Sequence, residues 1–389
     1  MTRRTALLAT LLLMAITSIQ AQRRILANPG QDSGYPDIKG YSAPSGYSVL
    51  EPITSGNLTI FPVAAATSHE TSQFITLDEG IRAGTVIITE QGSAGGMVRP
   101  GSRLPAGGAE VNRLALINKS GRPLLLLAGE IVTGGKQDRV IAADRIVPAG
   151  AEAVDLGVFC VEPGRWVGSG SGFGSMKLQM AQPSVRRPAM AAKNQQMVWN
   201  EVRESARSMS ARVPMAAAPA LRGTTSYAKV MDNEAVQKTV DEVAAPIIKN
   251  HDEVLRYLKQ KKAVGVVVAV NGEVMWADIF ASTPLLEKYW PKLVRSYAAE
   301  AVTAGTAKNA GGNAKDAGGN AKDAQQFVDE LGGGKEVAET EPGLFRRVDV
   351  TGEGYRVFTL TSLLPKTNFD VHITKMKQRQ AVHAQRWVE

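Results

Sequence analysis

The stretch GEIVTGGKQDRVIAADRIVPAG, residues 129–150, decides how the first half of the chain is read. Apolar pairs (Ile131-Val132, Val140-Ile141, Ile146-Val147) alternate with turn formers, which is the pattern of short strands joined by tight turns. Between them stand Glu130, Lys136, Gln137, Asp138, Arg139, Asp144 and Arg145. In a continuous strand, side chains alternate between faces, so Lys136 and Asp138 would oppose Gln137 and Arg139. Gly134-Gly135 breaks that alternation, because paired glycines reach positive φ and favour a loop. Such a loop aims Lys136, Gln137 and Arg139 into one cleft. The other reading is a salt-bridged hairpin with one wet face.

The pattern continues on both sides. NLTIFPVAA (57–65), GTVIITEQ (84–91), VNRLALINKS (111–120), RPLLLLAGEIV (122–132), DRVIAADRIVPAG (138–150) and EAVDLGVFCVE (152–162) each read as a strand. Gly, Pro, Asn and Ser separate them. FITLDEGIRAG (74–84) holds one short helix. Six or more strands with little helical pattern predict an antiparallel β domain, a sandwich or a barrel.

Helix follows. NQQMVWNEVRESARSM (194–209) has Met197, Val198 and Val202 at helical spacing, and residues 233–249 and 251–262 continue the theme. AVGVVVAVNGEVMWADIFAS (263–282) returns to β, with Asn271-Gly272 as a two-residue hairpin turn. TPLLEKYWPKLVRSYAAEAV (283–302) reads as a helix with Thr283 as N-cap and Pro284 at its first position. GYRVFTLTS (354–362) and NFDVHITKM (368–376) close the pattern as a strand pair. The expected class is α+β: an N-terminal antiparallel β-rich domain, sandwich or barrel-like, then a helix-and-hairpin α+β domain.

The 389 residues exceed what one core usually holds. The expected division is a signal peptide (1–21), a polar lead-in (22–44), the β-rich domain (45–167), a Gly/Ser/Pro-rich flexible segment (168–194), the helix-and-hairpin region (195–302), a low-complexity stretch (303–326) and a C-terminal strand pair with tail (327–389). In the low-complexity stretch GGNAKDA occurs at 311–317 and again at 318–324. Two copies are too few for a solenoid.

Arg3 and Arg4, the apolar run ALLATLLLMAI and small Ala21 form a secretory signal. It predicts an exported chain, periplasmic or secreted, without a transmembrane anchor once cleaved after Ala21; an uncleaved anchor is the competing reading. One cysteine, Cys160, permits no intrachain disulfide, and its apolar context reads as a buried small side chain rather than a reactive thiol. The net charge of +8 is diffuse. No zinc-finger, RNA-binding or helix-turn-helix signature accompanies it, so no nucleic-acid partner is expected. His69, His251, His372 and His383 lack metal-ligand spacing, so no metal is expected. No nucleophile elbow, Walker loop or dinucleotide fingerprint occurs, and no cofactor is expected.

Two clusters carry chemistry. Lys136, Gln137, Arg139 and the Gly-Gly amides suit a carboxylate or phosphate, with Arg as a fork and Lys as a point charge. Glu130 at the strand end is a general base or a partner for Arg139. In CVEPGRW (160–166), Glu162 and Arg165 pair across a Pro-Gly turn, and Trp166 beside Arg165 stacks on a planar or sugar ligand; a turn sealing the sheet edge is the plainer reading.

These blocks together resemble the bacterial ARPP domain family, named for association with ADP-ribosylglycohydrolase and rhodanese-phosphatase proteins. Gly129, Glu130, Lys136, Gln137, Arg139, Pro148, Gly150, Cys160, Glu162, Arg165 and Trp166 match its pattern. Gly135 stands for the usual Ala and Asp138 for the usual Asn. Asp278, Phe280, Trp290, Leu293 and Tyr297 resemble its second half. The resemblance spans about Tyr47 to Val302 and the last strands. It implies no particular activity, and its genomic company points toward ADP-ribose or nucleotide chemistry. Three functions follow as expectations: an exported module that binds an anionic small molecule or an envelope protein, using the Glu130–Arg139 segment; an enzyme on an anionic, nucleotide-like or sugar-acid ligand with Glu130 as base; or an envelope scaffold.

Overall fold

The 129–150 stretch folds into short strands around the expected glycine turn, but DRVIAADRIVPAG, expected as one strand, is split in two. In the computed structural model, which describes residues 46–91, 112–165, 172–248, 251–305 and 320–378, these are β8 (Glu130–Gly134), β9 (Arg139–Ile141) and β10 (Arg145–Val147). Gly134 and Gly135 have φ of 128° and 49°, the positive values that the turn requires. Strands β8 and β9 belong to a closed antiparallel barrel with β5 (Val86–Glu90), β6 (Arg113–Asn118), β11 (Ala151–Cys160) and β12 (Gly172–Met180), in the order β11-β6-β5-β12-β8-β9. Of the two expected architectures, the barrel is the one found.

Alternation fills it. Val86, Ile88, Leu114, Leu116, Val132, Ile141, Leu156, Val158 and Phe173 form one apolar cluster inside. Their strand neighbours Ile131, Val140, Phe159 and Val161 point outward into the main core. RPLLLLAGEIV is not one strand. Gly129, at φ 96°, breaks it into β7 (Leu124–Leu126) and β8. A methyl group there would come within 2.6 Å of the Arg186 side chain. Strand β7 joins β10 and β4 (Ile75–Thr76) in a three-stranded sheet, whose Leu124, Leu126 and Val147 close one end of the barrel interior. Between β4 and β5 lies the expected short helix, α1 (Leu77–Arg82), with Thr76 and Glu79 forming a capping box.

The third and largest sheet is nine-stranded and antiparallel: β1 (Tyr47–Val49), β3 (Leu58–Ala65), β13 (Ala263–Val270), β14 (Glu273–Phe280), β18 (Asp370–Lys377), β17 (Tyr355–Ser362), β16 (Phe345–Gly352) and β15 (Lys335–Glu341), with β2 (Ile53–Ser55) beside β3. The expected pair β17–β18 is present. Strands β15 and β16, KEVAETE and FRRVDVTG, are additions that the polar sequence hid. Strand β13 is buried along its whole length because both faces are covered: Val266 and Val268 face the main core, Val267 and Ala269 a second core. Asn271 and Gly272, φ 53° and 82°, make the expected turn between β13 and β14.

Helices cover the main core. In order they are α2 (Pro183–Arg187), a π-helical turn (Pro188–Ala192), α3 (Gln195–Ser210), α4 (Ala218–Arg222), α5 (Tyr227–Asp232), α6 (Glu234–Ile248), α7 (His251–Gln260), α8 (Thr283–Ala304) and α9 (Ala321–Asp329). Helix α9 lies over the second core through Ala324 and Val328. Composition suggested a flexible surface segment over 168–194. From Gly172 onward the chain is instead strand β12 and helix α2, because Phe173, Met180, Ala181 and Val185 are taken into the cores. The cap of α8 is Ser282, whose Oγ accepts from Leu285 N at 3.2 Å, rather than Thr283. The GGNAKDA copies lie largely outside the described residues, as do the expected signal peptide and lead-in.

Candidate functional site

Inward-facing rows of barrel side chains turn polar at one end. On β5 the row Val86, Ile88 ends in Glu90; on β9 the row of Ile141 ends in Arg139; on β11 Leu156 and Val158 lead to Cys160. Register places Cys160 opposite Arg139 and Glu90 opposite Leu114. All three polar residues are buried, Arg139 and Cys160 with no exposed surface. The β8–β9 turn lies over this end. Lys136 N donates to Glu90 Oε1 at 2.8 Å, and a methyl group at Gly135 would overlap the Phe173 ring and the Glu90 carboxylate.

The turn is locked from inside and from β11. Asp138 Oδ1 accepts from Gly134 N at 3.0 Å, and its Oδ2 accepts from Ser226 Oγ at 3.1 Å. Gln137 Nε2 donates to Glu162 O at 3.1 Å, and Asp138 N donates to Glu162 Oε2 at 3.3 Å. Arg165 pairs with Glu162 at 2.6 Å and with Asp138 at 3.5 Å, and donates to Gly135 O at 3.1 Å. Gln195 of α3 clamps the Cys160 backbone through both amide atoms, at 2.9 and 2.8 Å.

The structure therefore gathers Lys136, Gln137, Arg139, Glu162 and Arg165 at one mouth, with Glu90, Asp138 and Cys160 added. Lys136 and Arg165 are partly exposed, and the others lie beneath. Trp166 lies outside the described residues. The expected Glu162–Arg165 pair is present. Glu90 escaped notice, although GTVIITEQ carries its signal: a carboxylate continuing the parity of Val86 and Ile88 is a charge on the inward row.

Burial sets the electrostatics. It pushes the Cys160 thiol up, with Arg139 opposing, so the sulfur is a protonated thiol at neutral pH. It also pushes the Asp138 carboxyl up, aided by Glu162 and opposed by Gly134 N. It pulls the Arg139 guanidinium down against the pull of Cys160, Glu90 and Asp138, and the group stays a cation. Three carboxylates (Glu90, Asp138, Glu162) face three cations (Lys136, Arg139, Arg165). Glu90 Oε2 and Gln137 Oε1 are buried and have no hydrogen-bond partner.

Glu130 stands apart from this group. It begins β8, at the far end from the turn, and is 1% exposed. Its partner is Lys292, not Arg139: Lys292 Nζ lies 2.8 Å from Glu130 Oε1 and also contacts Asp78, while Leu127 N donates to Glu130 Oε2 at 2.8 Å. Burial raises its carboxyl, with Lys292 opposing.

A second buried polar group includes Asp278 and Tyr297, which the resemblance picked out, and was not read from the sequence as a cluster. Arg186 grips Asp278 through two bonds, 2.9 and 3.1 Å. Trp276 Nε1 (2.9 Å), Tyr297 OH (2.5 Å) and Thr374 Oγ1 (2.9 Å) donate to the same carboxylate. His372 lies between Asp278, at 3.3 Å, and Asp144, at 2.6 Å. Among the described residues no group of three or more His, Cys, Asp or Glu is placed to hold a metal ion.

Searches of curated proteins and of solved structures returned no match. The profile of the ARG and Rhodanese-Phosphatase-superfamily-associated Protein domain matches residues 46–376. That span takes in every strand of the three sheets but the last residue of β18, together with the barrel mouth and the buried Asp278 group. The chain belongs to this domain family.

Proposed function

We propose that this protein is an exported module that holds a small anionic ligand at the polar mouth of its barrel and makes no bond in it. The observation that carries the reading is the change of the inward rows from apolar to charged under a glycine turn. A barrel needs no buried charge to fold, and burying Glu90 and Arg139 costs free energy that an apolar pair would not. Barrel mouths with a few convergent polar groups are common ligand sites. Lys136 and Arg165, partly exposed at the rim, are the groups that would meet a carboxylate or phosphate. Export rests on the Arg3-Arg4 and apolar signal pattern of the first 21 residues.

Two other readings have less support. As a base, Glu130 would need a free oxygen, and both of its oxygens are engaged. A scaffold would need a continuous apolar patch. The exposed large apolar side chains among the described residues, Met197, Met215 and Val337, sit on separate elements.

Thermal melting against anionic metabolites tests the proposal. A ligand at a hundred times its dissociation constant stabilises the fold by about 2.7 kcal/mol. The expected result is a raised melting midpoint that Lys136→Ala and Arg165→Ala each weaken, with the chain recovered outside the cytoplasm on fractionation. No shift with any anion, or a shift that both variants keep, would overturn the binding reading.

A further inference from the structure

The mouth holds two buried acceptors that lack donors, on residues joined through the β8–β9 turn. Glu90 is 4% exposed and Gln137 5%. Glu90 spends Oε1 on Lys136 N, and Gln137 spends Nε2 on Glu162 O. The remaining oxygens, Glu90 Oε2 and Gln137 Oε1, have no hydrogen-bond partner. Their residues adjoin through Lys136, the residue before Gln137. A buried acceptor without a donor is destabilising, so a native site supplies one from water or ligand. Arg165, the nearby donor at the rim, is directed to Glu162 and Gly135 O.

This constrains what can bind. A bare phosphate or carboxylate offers acceptors only, and beside Glu90 it meets a like charge. An ammonium group would donate, but it would sit next to Arg139 and Lys136. A hydroxyl donates without charge. Resting on the reading that the mouth binds an anion, we propose that its ligand is a polyhydroxylated anion, a sugar phosphate or a sugar acid, whose hydroxyls donate to Glu90 Oε2 and Gln137 Oε1 while its charged end meets Lys136 and Arg165. Gln137 belongs to the β8–β9 turn and Glu90 is bonded to it through Lys136 N, so the ligand meets both acceptors at this turn.

The test is calorimetric titration of the purified protein with two matched pairs: inorganic phosphate against glucose 6-phosphate, and acetate against glucuronate. In at least one pair the hydroxylated ligand binds tenfold tighter or more than the bare anion, and the pair that shows this identifies the charged end. Glu90→Gln, which keeps an oxygen for Lys136 N but turns the second acceptor into a donor, removes that gain, and by lifting the like charge it raises the affinity of the bare anion. Gln137→Met removes the other acceptor and with it the gain, without altering charge, and decides the matter if Glu90→Gln melts early on its own. Equal affinities within both pairs, or a gain that survives both substitutions, overturn the hydroxyl assignment and leave the anion-binding reading standing. No binding by any of the four overturns both.

Discussion

Arg186 shows how much one side chain can be asked to do. Its guanidinium has no exposed surface, is stacked 4.6 Å from the Trp276 ring centre, and meets Asp278 through two hydrogen bonds. Burial alone would push the Asp278 carboxyl up. Arg186 and His372 reverse this and hold it well below the usual carboxylate range. Asp278 is therefore an anion at every ordinary pH, and without Arg186 it would be a poorly compensated charge in the core. Arg186→Met is expected to cost about 3–5 kcal/mol in urea unfolding. The double change Arg186→Met with Asp278→Asn should recover part of that loss, because the two residues touch and their effects couple. A loss below about 1 kcal/mol would mean that water reaches the pair. In the sequence Arg186 falls in the Gly/Ser/Pro-rich segment 168–194, which reads as flexible surface. Nothing local marks it as buried, since its partner lies 92 residues along the chain. Lys136, Gln137 and Glu162 were readable because a glycine pair and a Pro-Gly turn fix their surroundings within a few positions.

Elements were legible where local chemistry decides them. Asn271-Gly272 specifies its hairpin by positive φ at both positions, and Thr76 with Glu79 specifies the start of α1. Strand β12 was missed because its glycines and serines carry no pattern, and β15 because it is an exposed edge with charged side chains, as edges often are. The N-cap of α8 was displaced by one residue. The sequence offers Ser282 and Thr283 side by side, and only the fold distinguishes them. Ser282 is fully buried, accepts from Leu285 N, and shares a 2.6 Å hydrogen bond with Thr71. The helix that it starts carries Lys292, which ties α8 to β8 through Glu130 and to α1 through Asp78. Ser282→Ala should therefore lower stability by about 1–2 kcal/mol, and Thr283→Ala by well under half as much. Equal losses in chemical denaturation would place the cap elsewhere.

At the scale of the molecule, barrel and large sheet are joined by charge as well as by apolar packing. Asp144, on the link from β9 to β10, accepts from Ala128 N at 2.7 Å and from His372 on β18, which also meets Asp278 on β14. Residues 228 apart in sequence thus form one contact. No pattern in the chain announces such a contact: His372 stands alone by spacing, and a lone histidine on a strand is unremarkable until the fold supplies two carboxylates. Burial would lower the imidazole, but Asp144 and Asp278 outweigh it and raise the group from 6.5 to about 9. The folded state therefore holds this proton more tightly than the unfolded chain. The stabilisation is complete below pH 6.5 and is lost as pH rises through about 9. Lys375, drawn down to about 8 by burial, acts in the opposite sense above that pH, so the clean window is pH 6.5 to 8. Across that window the unfolding free energy should fall by roughly 1–2 kcal/mol. In His372→Gln the fall should vanish, at the cost of a lower stability throughout. Urea unfolding at four or five pH values measures both. A slope that persists in the variant would assign the proton to another group, and would leave His372 as a neutral packing residue between the two carboxylates.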